Sequence, residues 1–141
     1  MAGGLIAGYG TCAGLAGRFL YPAHPRREGW MFVARTDEIR AGEALAYRVP
    51  GGEGVTVARQ GSGAAGEDFV ALSSTCPHLG CKVHWEGARN RFYCPCHGGV
   101  FTPSGKAIAG PPGDAGQSLP RYPLKVEGGL LFILVPLEQV S

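Results

Sequence analysis

Two short boxes of cysteine and histidine constrain this chain more than any other feature. They read CPHLGC at residues 76–81 and CPCHGG at residues 94–99, and together hold four of the five cysteines and two of the four histidines. Thiolates and imidazoles at such short spacings converge on a metal, because tight turns point successive side chains inward. Any fold must therefore bring the two boxes side by side. The candidate ligands are Cys76, His78, Cys94 and His97.

Two cysteines and two histidines leave two kinds of centre open at this point. One is a structural zinc site. The other is an iron–sulfur cluster in which two histidines replace two cysteines on one iron. Cys81 and Cys96 stand at equivalent places in the two boxes and are not needed as ligands in either case.

The rest of the chain indicates an all-β domain. Its 141 residues suffice for one domain with a short appendage, and 24 glycines and 11 prolines are scattered among short apolar runs. That texture is typical of many short strands and turns. With 17% charged residues and a net charge of +2, nothing suggests a nucleic-acid partner.

Short runs rich in valine, phenylalanine and tyrosine predict strands between turn-forming stretches. Two apolar runs joined by Gly128-Gly129 predict a hairpin at 122–136. The head is therefore predicted to be a small antiparallel sandwich or barrel without helices, with the boxes inserted between strands. The other predicted strands are 30–35, 44–49, 55–59 and 68–73.

The N-terminal residues 1–22 differ from this pattern and are predicted to be a transmembrane anchor helix. They carry no charge before Arg18, and 17 to 25 apolar residues are needed to span a bilayer. Residues 23–29 are polar and predict a linker or hinge, followed by the head at 30–141. The two alternatives are a cleaved signal peptide and a glycine-rich tail. A signal peptide usually begins with basic residues, and none precede this apolar run. The basic residues after the apolar run would place the head in the cytoplasm.

The two boxes and the sequence after them resemble the Rieske [2Fe–2S] proteins. The pattern C-x-H-x-G-C with C-x-C-H-G matches, and GPP at 110–112 resembles the proline loop that covers the cluster in that family. The additional pair of cysteines resembles the quinol-oxidising branch found in cytochrome bc-type complexes. This resemblance implies a Rieske domain with an inserted rubredoxin-like cluster-binding subdomain and one [2Fe–2S] cluster.

The resemblance also implies a role for each box residue. Cys76 and Cys94 would bind the inner iron. His78 and His97 would bind the outer iron and carry out proton-coupled electron transfer. Cys81 would form a disulfide with Cys96. The expected surroundings of the cluster are Leu79, Gly99, Phe101 and Pro111.

Leu79 resembles the residue at the exposed cluster tip, or else packs under the disulfide. Gly99 and Phe101 stand where high-potential members have a serine and a tyrosine that donate hydrogen bonds to sulfur. Without those donors the reduced cluster is less stabilised, which favours a lower-potential donor such as menaquinol. His84 and His24, outside the boxes, are expected to be solvent-exposed.

By resemblance, the chain is the electron-transfer subunit of a membrane quinol:cytochrome c oxidoreductase and is not catalytic alone. Its partners would be a cytochrome b-type subunit, a c-type cytochrome and quinol, in a complex that can be homodimeric. The family places the head on the periplasmic side, which conflicts with the charge pattern at the N-terminus. The alternatives are the Rieske small subunit of a molybdenum oxidase such as arsenite oxidase, a stand-alone Rieske ferredoxin, and a zinc module.

Overall fold

The computed structural model describes residues 2–20 and 27–137. The predicted linker residues 23–26, His24 among them, lie outside the described residues. The head is built of antiparallel strands, as predicted, in three sheets. The strands are β1 (Glu28–Arg35), β2 (Ala44–Arg48), β3 (Gly54–Arg59), β4 (Phe69–Ser73), β5 (His84–Glu86), β6 (Arg91–Cys94), β7 (Gly99–Phe101), β8 (Ala107–Ala109), β9 (Arg121–Tyr122), β10 (Leu124–Glu127) and β11 (Leu130–Pro136).

Two of the sheets enclose a first core. One has the order β1-β11-β10 and the other β2-β3-β4-β9. The predicted hairpin is present, because Gly128 and Gly129 adopt φ values of 58° and 77°, which a two-residue hairpin turn requires. Alternate residues of β11 point inward and bury Leu131, Ile133 and Val135 completely. The other buried residues of this core are Ala34, Ile39, Val49, Val55, Val57, Phe69 and Ala71.

The third sheet, β5-β6-β7-β8, carries the boxes and lies between β4 and β9 in the chain. Its strands are only three or four residues long. Cys76 and Cys94 belong to its core, together with Phe92 and Phe101. The two box cysteines that are candidate ligands are thus part of the packing of this half of the head.

The head also contains short helical segments, which the sequence did not predict. A single helical turn, α2 (Pro111–Asp114), follows Gly110 of the GPP stretch, and Pro111 and Pro112 occupy its first two positions, where a helix tolerates proline. The remaining segments are 3-10 turns at Thr36–Glu38, Gly66–Asp68 and Gly87–Arg89.

The N-terminal segment forms the predicted helix, α1, which spans Ala2–Leu20. Cys12 on it is a free, exposed thiol. Six of its 19 residues are glycines, which contribute no apolar side chain to contacts with lipid. Among the described residues, no helix combines the length and the apolar character that crossing a membrane requires, so the transmembrane part of the prediction is not confirmed.

Candidate metal centre

The first box is a closed loop fastened at its two ends. The amide of Cys76 donates to the carbonyl of Cys81 at 2.7 Å, and the amide of Gly80 donates back to the carbonyl of Cys76 at 2.9 Å. Gly80 has φ 76°, a left-handed conformation that glycine adopts without strain. The loop therefore turns sharply enough to place His78 and Leu79 at its tip.

The second box is a turn between two paired strands. Cys94 ends β6 and lies opposite Gly99, the first residue of β7. Between them the chain reverses through Cys96 and His97, and Gly98 takes φ 67°. A strand pair thus holds both ends of this box, which fixes its position beside the first box.

The structure brings the two candidate ligand cysteines together in the interior. Cys76 is 3% exposed and Cys94 2% exposed. Burial raises the pKa of the Cys76 thiol, and the neighbouring Cys94 adds to the increase, while the backbone amides of His78 and Leu79 oppose it. Two adjacent buried thiolates are costly without a positive charge between them, so this pair suits a metal ion with thiolate ligands.

The two histidines meet on the outer side of the same site. The ring centroids of His78 and His97 are 5.0 Å apart, with the rings nearly perpendicular. His97 is exposed and His78 half-buried, whereas both cysteines are buried. The site therefore has an inner thiol side and an outer imidazole side, the division that a cluster with one all-thiolate iron and one histidine-bound iron needs.

A disulfide joins Cys81 to Cys96, so the pairing implied by the resemblance is present. Their Cα atoms are 6.5 Å apart. The Cys94 sulfur lies within 4.8 Å of both disulfide sulfurs. The cross-link therefore connects the two boxes immediately beside the candidate metal site.

The GPP stretch lies against the second box, as the resemblance predicts for a covering loop. A Cβ added at Gly110 would come within 2.9 Å of the Gly98 carbonyl oxygen, so the two backbones touch. Pro112 is the fully buried proline of this loop, whereas Pro111 is half-buried.

The surroundings of the site explain three further predicted positions. Leu79 is 70% exposed, so it forms an apolar tip and does not pack under the disulfide. Phe101 is completely buried in the core that contains Cys76 and Cys94. Gly99 is buried against the Pro112 ring. Neither carries a side-chain donor. His84 is exposed on β5, in agreement with the prediction.

Several contacts behind the boxes were missed by sequence reasoning. The amide Nε2 of Gln117 lies 3.5 Å from the Pro77 carbonyl oxygen, next to His78. Ser73, three residues before the first box, donates to Glu53 at 2.7 Å, and the Tyr122 hydroxyl donates to the same carboxylate at 2.7 Å. Burial and this carboxylate raise the pKa of Tyr122. These partners are up to 69 residues apart in sequence, and no motif signals them.

Known proteins are similar to this chain in sequence and in fold. A sequence model of the Rieske [2Fe-2S] domain matches residues 29–123. The cytochrome b6-f complex iron-sulfur subunit of Chlorobaculum tepidum is 42% identical over 72 residues, which are 50% of this chain and 37% of that protein. The menaquinol:cytochrome c reductase iron-sulfur subunit of Geobacillus thermodenitrificans is 42% identical over 69 residues, 47% of this chain and 40% of that protein.

One solved structure, titled hyperthermophilic respiratory Complex III, contains a chain that is 30% identical. The match has a TM-score of 0.56 and covers 92% of this chain and 94% of the other. The matched region spans less than half of each of the two curated relatives. Because the domain match covers both boxes and most of the β-sheet head, the chain belongs to the Rieske [2Fe–2S] domain family and carries its cofactor, one [2Fe–2S] cluster.

Proposed function

We propose that this chain is the Rieske electron-transfer subunit of a membrane quinol:cytochrome c oxidoreductase. The observation that carries the proposal is the layered site: buried thiols of Cys76 and Cys94, outward imidazoles of His78 and His97, and a disulfide beside them. The proposed ligands are these four residues. A disulfide so close to the site suits an oxidising compartment, in agreement with a head on the periplasmic side of the membrane.

The chain's own residues would prepare the site for a quinol. When bound, the cluster supplies one-electron transfer at a potential raised by histidine ligation. His97 is exposed and His78 half-buried, so a ring nitrogen of either one could accept the hydrogen bond of a quinol hydroxyl and hold its proton. Leu79, 70% exposed at the loop tip, offers an apolar surface for the quinol ring.

The packing around Gly99 and Phe101 supports menaquinol as the donor. Hydrogen bonds to cluster or ligand sulfur stabilise the reduced state, and neither residue has a side-chain donor. A cluster with a lower midpoint potential suits a quinol with a lower midpoint potential, such as menaquinol. The Geobacillus relative is named a menaquinol:cytochrome c reductase subunit. The proposed partners are a cytochrome b-type subunit and a c-type cytochrome in a homodimeric complex, and attachment to the membrane would come through the N-terminal residues 1–22.

The test has a spectroscopic arm and a partner arm. The holo-protein should show the visible absorption and reduced-state electron paramagnetic resonance of a histidine-ligated [2Fe–2S] centre. His78→Ala or His97→Ala should abolish both signals, whereas the matched control His84→Ala, an exposed histidine outside the site, should retain them. A protein that keeps its signals in either ligand variant would contradict the ligand assignment.

The partner arm separates the proposed complex from its alternatives. Tagged chain purified from the membranes of its native host should bring down a b-type cytochrome, and menaquinol added to that preparation should reduce the centre. Purification with a molybdopterin-containing subunit would instead identify a molybdenum oxidase. Recovery of the chain alone would identify a stand-alone ferredoxin.

A further inference from the structure

A groove runs between the β2 edge of the head and the half that carries the boxes. Two cavities form it, with volumes of about 370 and 210 Å³. They share Ala46, Ser74 and Lys82 as lining residues and are therefore adjacent. One wall is β2, and the other is the chain that leaves the first box through Gly80 and Lys82.

Strand β2 is an open edge. It is the terminal strand of the sheet β2-β3-β4-β9, and within residues 2–20 and 27–137 it pairs with β3 alone. Among the described residues, no backbone hydrogen bond joins Ala44–Arg48 to any other segment. The opening ends at Gly42, whose carbonyl accepts the Trp85 indole N–H at 2.8 Å. Such an edge presents unpaired backbone groups to an incoming strand.

The side chains on the groove side of β2 leave room for a ligand. Ala44, Ala46 and Arg48 alternate with Leu45 and Tyr47, and opposite residues of an antiparallel pair lie on one face. Ala46 is paired with Thr56, whose hydroxyl lies 2.8 Å from that of Ser74 on the groove floor. The two alanines leave the groove open, and Arg48 lines its larger cavity.

The charge of the groove is one-sided. Arg48 and Lys82 line the larger cavity, Lys82 and His84 line the smaller, and no carboxylate of the described residues lines either. Arg48 and Lys82 are exposed, and neither forms an ion pair in the described part of the chain.

The acidic residues that flank this region in sequence are engaged elsewhere. Glu43 faces Arg40 at 3.9 Å, and Glu86 bonds Arg91 at 2.6 Å. Glu53 accepts hydrogen bonds from Ser73 and Tyr122. Arg48 Nη1 donates to the Gly52 carbonyl at 3.2 Å, but among the described residues neither Arg48 nor Lys82 has a carboxylate partner, so their charges can still attract an external anion.

From these observations we propose that an extended acidic segment of a partner protein pairs with the open edge of β2 as a further strand, in the plane of the sheet, and directs alternate side chains towards the groove. Main-chain hydrogen bonds to Ala44–Arg48 give affinity, and the acidic side chains on the groove face reach Arg48 and Lys82. Five residues of edge correspond to about 16 Å of strand at 3.3 Å per residue, so the edge fits a peptide better than a single small anion. The segment would touch the chain that leaves the first box.

The test measures binding of a fluorescein-labelled peptide of alternating glutamate and valine to the full cluster-bearing chain, by fluorescence anisotropy. We expect saturable binding that weakens with added salt, because exposed charges are screened. The same peptide with lysine in place of glutamate should not bind. Absence of binding by the acidic peptide overturns the proposal.

Charge-matched variants locate the site. Arg48→Glu with Lys82→Glu should weaken binding by about tenfold or more, about 1.4 kcal/mol. The control is Arg121→Glu with Lys106→Glu, which makes the same charge change at exposed residues, one of them on the opposite edge strand β9. An equal loss of affinity in both double variants would show that the peptide is attracted by the overall positive charge of the protein, which would overturn the groove assignment. The cluster's visible spectrum verifies that each variant is folded.

The peptide itself tests the strand pairing. N-methylation of alternate residues removes backbone donors and keeps the charge, so affinity should fall by about tenfold. Unchanged affinity would overturn the edge-pairing geometry. Competition by free glutamate or inorganic phosphate at the concentration of the peptide would identify a small-anion site instead and also overturn the proposal.

Discussion

The two halves of the head are stabilised in different ways. The first core, between the β1-β11-β10 and β2-β3-β4-β9 sheets, consists of strands of up to eight residues with fully buried aliphatic side chains. The half that carries the boxes has strands of three or four residues in its sheet, glycine-rich turns and two cysteines within its core. The first half can rely on hydrophobic burial, whereas in the second a disulfide links the two boxes, and we expect the metal centre to complete the packing around Cys76 and Cys94.

The largest difference between the halves is expected on removal of the cluster. Without metal, the core of the half that carries the boxes has a cavity between Cys76 and Cys94. In such small sites the free energy of metal binding contributes directly to the free energy of folding. Amide protection in β5–β8 should fall to that of a locally unfolded segment, while β3 and β11 keep theirs. Hydrogen exchange followed by mass spectrometry on holo- and apo-protein measures this. Equal loss in both halves would mean that the head folds as one unit with its metal.

The next largest effect is expected from a cavity in the first core. Ile133 is completely buried between the sheets, and Ile→Ala in such a site costs about 2–5 kcal/mol. Ile133→Ala should lower the urea midpoint of the whole head without changing the cluster's visible spectrum. Leu134→Ala, on the outer, half-buried face of the same strand, is the matched control and should cost less. A spectral change in Ile133→Ala would contradict this expectation and show that packing in the first core also determines the surroundings of the cluster.

Loss of the disulfide should act on the box half alone. The bridge closes a sequence separation of 15 residues, for which chain entropy gives a stabilisation of about 3 kcal/mol. Cys81→Ser should therefore shorten the lifetime of the cluster in air and lower protection in β6 and β7. Protection in β11 should not change. The measurements are the decay of visible absorbance and hydrogen exchange, and a cluster as durable as in the unchanged protein would contradict the proposed clamp.

The same contrast explains what could be predicted from the sequence. Strands β1 to β4 and the β10–β11 hairpin were predicted because they are long enough to show β-rich runs and end at glycine-rich turns. Strands β6 to β9 were missed, since two to four residues inside turn-rich sequence carry little periodic signal. The turn α2 was missed because Pro-Pro-Gly is typical of loops, and its helical conformation depends on packing against β7 and β8.

For the site, the residue types and their spacing predicted that the two boxes lie side by side, and the structure places Cys76 beside Cys94 and His78 beside His97. Spacing alone could not show that the cysteines would be buried and His97 exposed, because that division depends on which side of the turns faces the core. The contacts of Gln117 with Pro77, and of Glu53 with Ser73 and Tyr122, join residues 20 to 69 positions apart. They could not be predicted without the sheet register.

The smallest predicted effect concerns the electronic tuning of the box half. Phe101 is completely buried in the same core cluster as Cys76 and Cys94, and a hydroxyl added to its ring would seek a sulfur acceptor. Hydrogen bonds to charged groups contribute about 1.5–3 kcal/mol. Because the charge is delocalised, about 1 kcal/mol is expected here. With 59 mV for each tenfold change of a one-electron equilibrium, Phe101→Tyr should raise the midpoint potential by roughly 40–50 mV.

This substitution is a cleaner probe than Gly99→Ser, the other position that lacks a donor. A Cβ at Gly99 would lie 3.0 Å from the Pro112 ring carbon Cγ, so the proline loop would have to move and the potential would report two changes at once. Phe132→Tyr on the outer sheet face is the matched control, because Phe132 is half-buried and its new hydroxyl can reach solvent. Voltammetry of the unchanged protein, Phe101→Tyr and Phe132→Tyr should show a higher midpoint potential for Phe101→Tyr only. If Phe101→Tyr leaves the potential unchanged, the missing hydroxyl does not set the potential, and the support that this residue gives to menaquinol is lost.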